Sequence, residues 1–412
     1  MVLIMLLINI LIIFFEWIKG SISAVFWAVI FLIFSCPHLL HSMDSTYDKE
    51  ILSTVSMFAI IFMSIYFIVR LLILQNKTCI SGVINVEKIK NEGGKLIPFI
   101  YFVYIISFLI IAINFYVDGG SLLTVKAYTA SNIGLIEKIA RLVLISVSGI
   151  GFIALIRKEY LLFVIFTFIY LFYFIVTQIR YNLLGFFAPF FLLFLFNNNK
   201  RKRVYGVLIG LVFVAFVFFT QQLRWMGGLS NAINAGMGVL IKNTIDYIKA
   251  GNGEFGLIKA FYYFVENNNN FQKFGEGLGF IRLLLIFLPA SLFTFKPRDF
   301  AIDMYREWFK VDNPNGTMHP TAFGDAYANF GLPGFLIGIF YALFFYIIDK
   351  YIESTKFESV KILKISLAFT MMVLVARGAV YNGIFNCVLG WLILYFFEKI
   401  FQGQNNLIDK VD

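Results

Sequence analysis

The feature that most constrains this chain is a series of long apolar runs separated by short polar stretches. Most are roughly 17 to 24 residues long, which is the length that an α-helix needs to cross the hydrocarbon core of a bilayer. Of the 412 residues, 60% are hydrophobic and only 14% are charged, whereas about a quarter are charged in a typical soluble protein. The sequence therefore predicts an all-α, polytopic membrane protein, because a helix satisfies its own backbone groups in lipid.

About eleven helices (ten to twelve) are predicted to cross the membrane. The predicted spans are Val2–Trp17, Ser21–Ser35, Ile51–Leu74, Leu96–Tyr116, Ile136–Ile156, Tyr160–Val176, Leu183–Phe196, Val204–Thr220, Leu332–Ile348, Leu363–Val375 and Ile384–Phe401. A short polar loop with His38 and His41 is expected after the second span. The first run lacks a basic leading region and a small-residue cleavage site, so it is interpreted as a retained helix.

The distribution of charge predicts the orientation of these helices. The formal net charge is +10, and lysine and arginine concentrate in short loops, most strongly in residues 200–203. Cytoplasmic loops carry such an excess in multi-pass proteins, so these loops are placed inside. The excess thus indicates topology, and a nucleic-acid partner is not expected.

Three regions follow from this topology. Residues 1–220 form about eight N-terminal spans, residues 221–330 form one large outer (periplasmic) loop, and residues 331–412 form about three C-terminal spans. The outer loop contains one apolar segment, Ile281–Phe295. If it crossed the membrane, the lysines after Ile348 would lie outside, against the charge bias. It is therefore predicted to be a re-entrant or interfacial helix.

The stretch His319–Gly331 is the main candidate for chemistry. It brings His319, Asp325, Tyr327 and Asn329 together between a polar run and the apolar segment that starts at Leu332. Pro320 favours an extended backbone at His319 and a helix that begins at the proline. An imidazole, or a partly buried carboxylate, can accept the proton of a sugar hydroxyl. The alternative is that His319 only caps or positions the loop.

A set of arginines lies at the predicted outer ends of helices: Arg180, Arg224, Arg282, Arg298, Arg306 and Arg377. An arginine beside hydrocarbon is costly unless it has a partner, and its planar fork suits phosphate or carboxylate. Any one of them could instead extend its charge to the interface or pair with a protein carboxylate. As a set, they favour an anionic substrate at the outer face.

Motifs for metal-dependent or nucleotide-driven catalysis are absent from the sequence. It contains no HExxH, GxSxG, P-loop or DxD pattern, and its three cysteines have no CxxC spacing. No cofactor and no metal are therefore expected. A membrane enzyme of this kind would need an activated donor that the membrane itself delivers.

Two motifs resemble those of the Wzy-type O-antigen or oligosaccharide repeat-unit polymerases. Residues Gly324–Gly331 read Gly-Asp-Ala-Tyr-Ala-Asn-Phe-Gly, similar to a family pattern of histidine followed by Gly-Glu-x-Tyr-x-Asn-Phe-Gly, with Asp325 in place of glutamate. Residues Leu288–Pro297 resemble the family's Ile-Pro-Arg-x-Leu-Trp-Pro-x-Lys-Pro segment, but lack its arginine and tryptophan. Arg180 at the start of a span and Arg377-Gly378 late in the chain also fit the family.

The resemblance implies a metal-independent, inverting glycosyltransferase of GT-C-like fold in the bacterial inner (cytoplasmic) membrane. It would transfer a growing glycan from undecaprenyl pyrophosphate to the next lipid-linked repeat unit at the outer face, building O-antigen, capsule or exopolysaccharide. A chain-length regulator and a flippase are further candidate partners. The expected roles are acceptor activation by His319 or Asp325 and donor binding by Arg180, Arg224, Arg298, Arg377, Tyr327 and Asn329.

Two rival functions remain open from the sequence. An O-antigen ligase shares the architecture and donor but transfers to a different acceptor. A lipid-linked oligosaccharide flippase or other transporter would show charged residues facing a cavity within its spans and an internal inverted repeat. In this sequence the charges gather at span ends and in one asymmetric outer loop, which favours the enzyme.

Overall fold

The protein is all-helical in the part of the chain that the computed structural model describes. The described residues are 1–43, 47–75, 83–92, 95–117, 134–177, 180–196, 199, 201–208, 210, 253–288, 292–312 and 316–408, with isolated positions between 231 and 246. Among these residues there is no β-strand. The prediction of an all-α protein is confirmed for them.

In chain order the helices are α1 (Val2–Ile18), α2 (Ser23–Met43), α3 (Lys49–Leu74), α4 (Val86–Asn91), α5 (Leu96–Val117), α6 (Leu135–Ser146), α7 (Ile150–Ile156), α8 (Tyr160–Thr177), α9 (Arg180–Leu195), α10 (Leu257–Glu266), α11 (Leu278–Leu284), α12 (Phe300–Phe309), α13 (Thr321–Phe330), α14 (Ile337–Glu353), α15 (Glu358–Ala376) and α16 (Val380–Ile408). A 3₁₀ turn, Leu332–Leu336, leads into α14.

Several of these helices are long and apolar enough to cross a membrane. Within the described residues there are six: α2, α3, α5, α15, the first part of α16, and α14 together with its preceding 3₁₀ turn. There are seven if α6 and α7, which meet at a 43° bend, form one span. Helix α1 and the apolar parts of α8 and α9 are shorter. These helices indicate a multi-pass membrane protein.

The chain divides into two compact units, each assembled from distant stretches. Unit 1 contains Met1–Ile80, Tyr247–Lys350 and Met371–Phe385. Unit 2 contains Ser81–Asp246, Tyr351–Thr370 and Asn386–Asp412. These units group residues by contact, whereas the three predicted regions group them by topology. Unit 1 holds the His319–Gly331 stretch.

Aromatic packing fixes the position of α13 in unit 1. The ring of Phe323 lies 4.9 Å from that of Phe62, edge to face. Tyr327 lies 5.7 Å from Phe58 and 5.5 Å from Phe261. Edge-to-face pairs of this kind stabilise by about 0.5–1.5 kcal/mol beyond the burial of their area. Helix α13 is therefore held by α3 on one side and α10 on the other.

The candidate stretch forms its own short helix. The predicted helix start at Pro320 is confirmed to within one residue, since α13 begins at Thr321. The helix ends at Phe330, and the next residue, Gly331, has φ of 65° and ψ of −147°, which suit glycine alone. The chain then reorients through the 3₁₀ turn before α14 begins. Asp325, Tyr327 and Asn329 thus lie on a separate helix ahead of the candidate span.

The second predicted span is longer than expected. The prediction of a polar loop at His38 and His41 is wrong, because α2 continues to Met43. A π-helical turn at Phe31–Ser35 precedes Pro37. Proline has no N–H to donate to the preceding turn, and a π-turn changes the hydrogen-bond register so that the helix can continue.

The apolar segment of the large loop is less helical than expected. In place of a helix over Ile281–Phe295, the structure has α11, which ends at Leu284, followed by turns to Leu288. This helix has seven residues, about 10 Å at 1.5 Å per residue, so it does not cross a bilayer.

A buried ionic cluster joins α1, α3 and α14. Arg70 donates from Nε to Glu16 Oε1 at 2.7 Å and from Nη2 to Glu16 Oε2 at 2.6 Å. Its Nη2 also lies 3.0 Å from Asp349 Oδ2. All three side chains have 0% exposure. Tyr66 and Ser23 donate further bonds to Glu16. Fully buried side chains keep their charges only when they are paired and hydrogen-bonded.

Polar contacts at and near the start of α15 join parts of unit 2. The carboxylate of Glu92 accepts hydrogen bonds from the backbone N–H groups of Glu358 and Ser359, which caps α15. Lys364 pairs with Glu398 of α16 at 3.5 Å. These contacts connect α15 to α16 and to the segment after α4.

Candidate functional site

A small cavity in unit 1 brings together the loop before α13, α13 itself and the first turn of α16. It is lined by Gly279, Phe280, Asp299, Phe300, Ala301, His319, Asp325, Gly378, Ala379, Val380, Tyr381 and Asn382. Its volume is about 20 Å³, room for one or two water molecules. The cavity can therefore take a hydroxyl group, but a sugar ring would have to lie at its mouth.

The imidazole of His319 is half-buried at this cavity, with one ring nitrogen bonded and one free. Nε2 lies 3.1 Å from the hydroxyl of Thr317. Nδ1 is buried and has no hydrogen-bond partner within the described residues. Burial, and then the charge of Arg377, lower the pKa of His319 to about 4. The ring is therefore neutral at physiological pH, and one nitrogen remains available for a proton transfer.

Asp325 and Asp299 contribute two carboxyl groups to the same cavity. Asp325 lies in the middle of α13 and is 6% exposed. Burial, and then repulsion from Asp299, raise its pKa well above the ordinary 3.8. Asp299 caps α12 by accepting from the N–H of Ala301 at 3.2 Å, and Asn382 donates to its other oxygen at 3.4 Å. Burial and the neighbouring Asp299 thus favour the protonated form of Asp325.

Arg377 is paired with a protein carboxylate. Its Nε lies 2.7 Å from Glu254 Oε2, and its carbonyl accepts the N–H of Thr321 at 2.9 Å. The next residue, Gly378, has φ of 93° and packs so closely on Thr321 that an added Cβ would lie 2.8 Å from the Thr321 oxygen. The segment after α15 is therefore docked against the start of α13, next to His319.

Two cations meet at Tyr381 on the edge of the cavity. The guanidinium of Arg282 lies 4.4 Å from the centre of the Tyr381 ring. The ammonium of Lys296 lies 3.4 Å from the Tyr381 hydroxyl and donates to the carbonyl of Leu288 at 2.7 Å. Neither cation has a carboxylate within ion-pair distance among the described residues, unlike Arg377. This arrangement places beside the cavity two positive charges that have no ion-pair partner among the described residues.

Tyr327 and Asn329 occupy structural positions on α13. The ring of Tyr327 is buried between α3 and α10, as described above. Asn329 has 0% exposure. Its side chain donates to the carbonyl of Asp325 at 2.9 Å and accepts the N–H of Gly279 at 2.8 Å. Asn329 thereby fixes α11 against α13, and neither residue is among those that line the cavity.

The other predicted donor-binding arginines are not brought to the cavity in the described part of the chain. Arg298 is exposed and does not line it. Arg180 begins α9, but its side chain lies outside the described residues. Arg224 lies wholly outside them. Their predicted roles stay predictions.

A polar cluster behind α13 holds α10 in place. His38 has 0% exposure, and its Nδ1 lies 2.7 Å from the hydroxyl of Tyr262 while its Nε2 lies 2.8 Å from Ser56. His41 Nδ1 lies 3.3 Å from the same Tyr262 hydroxyl. His38 is therefore buried between helices and does not lie in the polar loop that the sequence predicts. Its hydrogen bonds connect α2, α3 and α10.

Sequence reasoning missed Asp299, Tyr381 and Asn382 as cavity residues. Each lies in a stretch whose outer location was predicted, namely the end of the Ile281–Phe295 segment and the turn after Arg377. This shared predicted location could have suggested that the two stretches lie close together, because it places both at one face of the membrane. No local pattern in the sequence predicts the pairing of Arg377 with Glu254, because 123 residues separate the two.

Comparison with known proteins adds no relative. No protein-family model matches the chain, and no curated protein or solved structure is significantly similar to it.

The site therefore combines three chemical elements around one small cavity. A neutral imidazole can accept a proton. A protonated carboxyl can donate a hydrogen bond, and two cations can stabilise negative charge that develops on a leaving group. This set suits a group transfer in which a hydroxyl is the nucleophile and an anion departs.

Proposed function

We propose that the protein is a glycosyltransferase that polymerises oligosaccharide repeat units carried on undecaprenyl pyrophosphate into a surface polysaccharide. The observation that supports this most is the cavity that joins His319 and Asp325 next to the cations at Tyr381. These are the groups that the transfer needs, namely a proton acceptor beside a hydroxyl-sized space and positive charge for a departing pyrophosphate. The resemblance of residues 288–297 and 319–331 to Wzy-type polymerases points to the same reaction.

In the proposed reaction, a hydroxyl of the acceptor sugar attacks the anomeric carbon of the growing glycan. The new glycosidic C–O bond forms as the bond between that carbon and the phosphate oxygen breaks, with inversion. The hydroxyl proton passes to His319, and the lipid pyrophosphate departs with the bonding electron pair. Asp325, whose pKa is raised by burial, would donate a hydrogen bond in the site while it is protonated. Of the two candidate bases, His319 is favoured because its ring lines the cavity and its Nδ1 has no hydrogen-bond partner among the described residues.

The proposal includes an arrangement of about eleven spans with a GT-C-like fold in the bacterial inner membrane and the cavity at its outer face. A chain-length regulator and a flippase would be its partners. Labelling of single introduced cysteines by an impermeant thiol reagent tests the orientation. In intact cells the Lys273→Cys protein should be labelled from outside, and the Arg201→Cys protein should be protected from the reagent. The reverse pattern would overturn the assignment of faces.

A deletion strain separates the proposed polymerase from its two rivals. Loss of a polymerase leaves single repeat units attached to the final acceptor. Loss of a ligase leaves full-length chains on the lipid carrier, and loss of a flippase leaves single units on the inner face. Complementation with His319→Asn and Asp325→Ala should then fail to restore chain growth while the protein accumulates normally. Long chains from both variants would refute the catalytic assignment.

A further inference from the structure

The two cations beside Tyr381 have different partners from Arg377, the other cation near the cavity. Arg377 pairs with Glu254. Arg282 and Lys296 converge on one phenol, and within the described part of the chain their acceptors are backbone carbonyls and that phenol. Arg282 Nη1 donates to the carbonyl of Pro297 at 2.6 Å. Its Nε is buried and has no acceptor within the described residues. A buried donor that belongs to a charged group and lacks an acceptor is costly, so it marks a place where a ligand oxygen would be stabilised.

The direction of the hydrogen bond at Tyr381 adds another donor. A lysine ammonium has no acceptor capacity, so in the contact of Lys296 with Tyr381 the ammonium donates and the phenol oxygen accepts. The phenol proton is then free to donate elsewhere. Arg282, Lys296 and Tyr381 thus offer three donors, two of them charged, around one ring.

The N-terminal end of α16, where Tyr381 lies, also favours an anion. Tyr381 lies in the first turn of α16, a helix of 29 residues that begins at Val380. A helix N-terminus carries unpaired N–H groups and the positive end of the helix dipole, both of which favour an anion. Of the two carboxyl groups at the cavity, burial raises the pKa of Asp325, and Asp299 accepts hydrogen bonds from the N–H of Ala301 and from Asn382.

From these contacts we infer that Arg282, Lys296 and Tyr381 form an oxyanion subsite that takes a phosphate or pyrophosphate group at the mouth of the cavity. The half-buried positions of all three side chains leave this subsite accessible. Its identification with the pyrophosphate of the glycan donor rests on the proposed function; the binding of a phosphoryl group does not. The subsite replaces Arg377 in this role, since Arg377 already has a carboxylate.

Titration of the purified full-length protein with inorganic pyrophosphate tests the subsite without any turnover. We expect saturable binding to the wild type. Loss of one charged donor in Arg282→Met or Lys296→Met should weaken it about tenfold or more. Lys273→Met is the matched control, because it removes one charge from an exposed side chain and should leave the affinity unchanged. No binding by the wild type, or equal loss in Lys273→Met, would overturn the inference.

Tyr381→Phe keeps the test valid if a charge variant fails to fold. It removes one oxygen, retains the ring under Arg282, and should weaken pyrophosphate binding severalfold. Unchanged binding by a folded Tyr381→Phe protein would refute the role of the phenol as a donor. The unfolding midpoint of each variant verifies that the protein is folded.

Two further experiments identify which anion the subsite binds and distinguish failure of the subsite from failure of the proposed function. Nanodiscs of phosphatidylglycerol should compete for the subsite less than pyrophosphate does; equal competition would assign it to an anionic lipid headgroup. If pyrophosphate binding requires the three residues but deletion of the protein leaves polymer growth intact, the proposed function fails and the subsite stands. If growth requires the protein but the variants bind pyrophosphate normally, the subsite fails and the function stands.

Discussion

Replacement of Arg70 by methionine should destabilise unit 1 more than any surface substitution. The change removes two bonds to Glu16, one to Ser21 and one to Asp349, all at 0% exposure. It leaves two carboxylates buried without their cation. Removal of one partner from a buried ion pair costs about 3–5 kcal/mol. Because methionine recovers part of the packing of the arginine stem, we expect a loss near the lower end of that range.

Equilibrium unfolding in mixed detergent micelles measures this loss, with the fluorescence of Trp27, which is buried in the same unit, as the signal. Arg201→Met is the control, because Arg201 is exposed, and it should change stability by no more than about 0.5 kcal/mol. Adding Glu16→Gln to Arg70→Met removes one stranded charge and should restore part of the loss. An Arg70→Met protein as stable as the control, or strictly additive effects in the double variant, would refute the argument.

Four further predictions concern other substitutions in unit 1. The stability that Asp325 contributes is full below pH 3.8, its ordinary pKa, and is lost as the pH rises toward its raised pKa. Asp325→Asn should therefore become more stable relative to the wild type as the pH rises from 4 to 8. A constant difference in the free energy of unfolding would contradict this. For His319, the stability is full above pH 6.5 and is lost as the pH falls toward about 4, so His319→Asn should lose this dependence in a pH series of unfolding curves. Gly378→Ala should destabilise by roughly 1–3 kcal/mol, because its φ is 93° and the new methyl would meet Thr321, while Ala379→Gly serves as the neighbouring control. Glu254→Gln leaves Arg377 without its anion and should reduce chain growth with normal protein levels; growth at the wild-type rate would show that the pair does not position the site.

The helical character of the fold could be predicted because it follows from local composition. Apolar runs such as Leu96–Tyr116 predict a helix whose observed bounds, Leu96–Val117, differ by one residue. The start of α13 was also predictable, since Pro320 restricts the backbone on both sides. The continuation of α2 to Met43 was not, because Pro37 and two histidines resemble a loop until the π-turn is known.

The candidate site was predictable only in part, because pairing between distant residues has no local signature. His319 and Asp325 share a motif and line one cavity. Arg377 has the sequence context of a free arginine, and only the structure reveals Glu254 beside it. Arg70 lies near the end of a predicted span, where an arginine normally extends to the interface. Its two partners are 54 and 279 residues away.

The cluster around Arg70 also sets an order for biogenesis. Glu16 and Arg70 are synthesised close together, so α1 and α3 can enter the bilayer as a pair with no net charge. Asp349 is synthesised 279 residues after Arg70, a delay of roughly 15 to 60 s at about 5–20 residues per second. Until then α1, α2 and α3 form a partly assembled bundle whose last ionic contact is missing. Insertion of α14 completes that contact, and the nascent chain between them must remain competent for assembly throughout the delay.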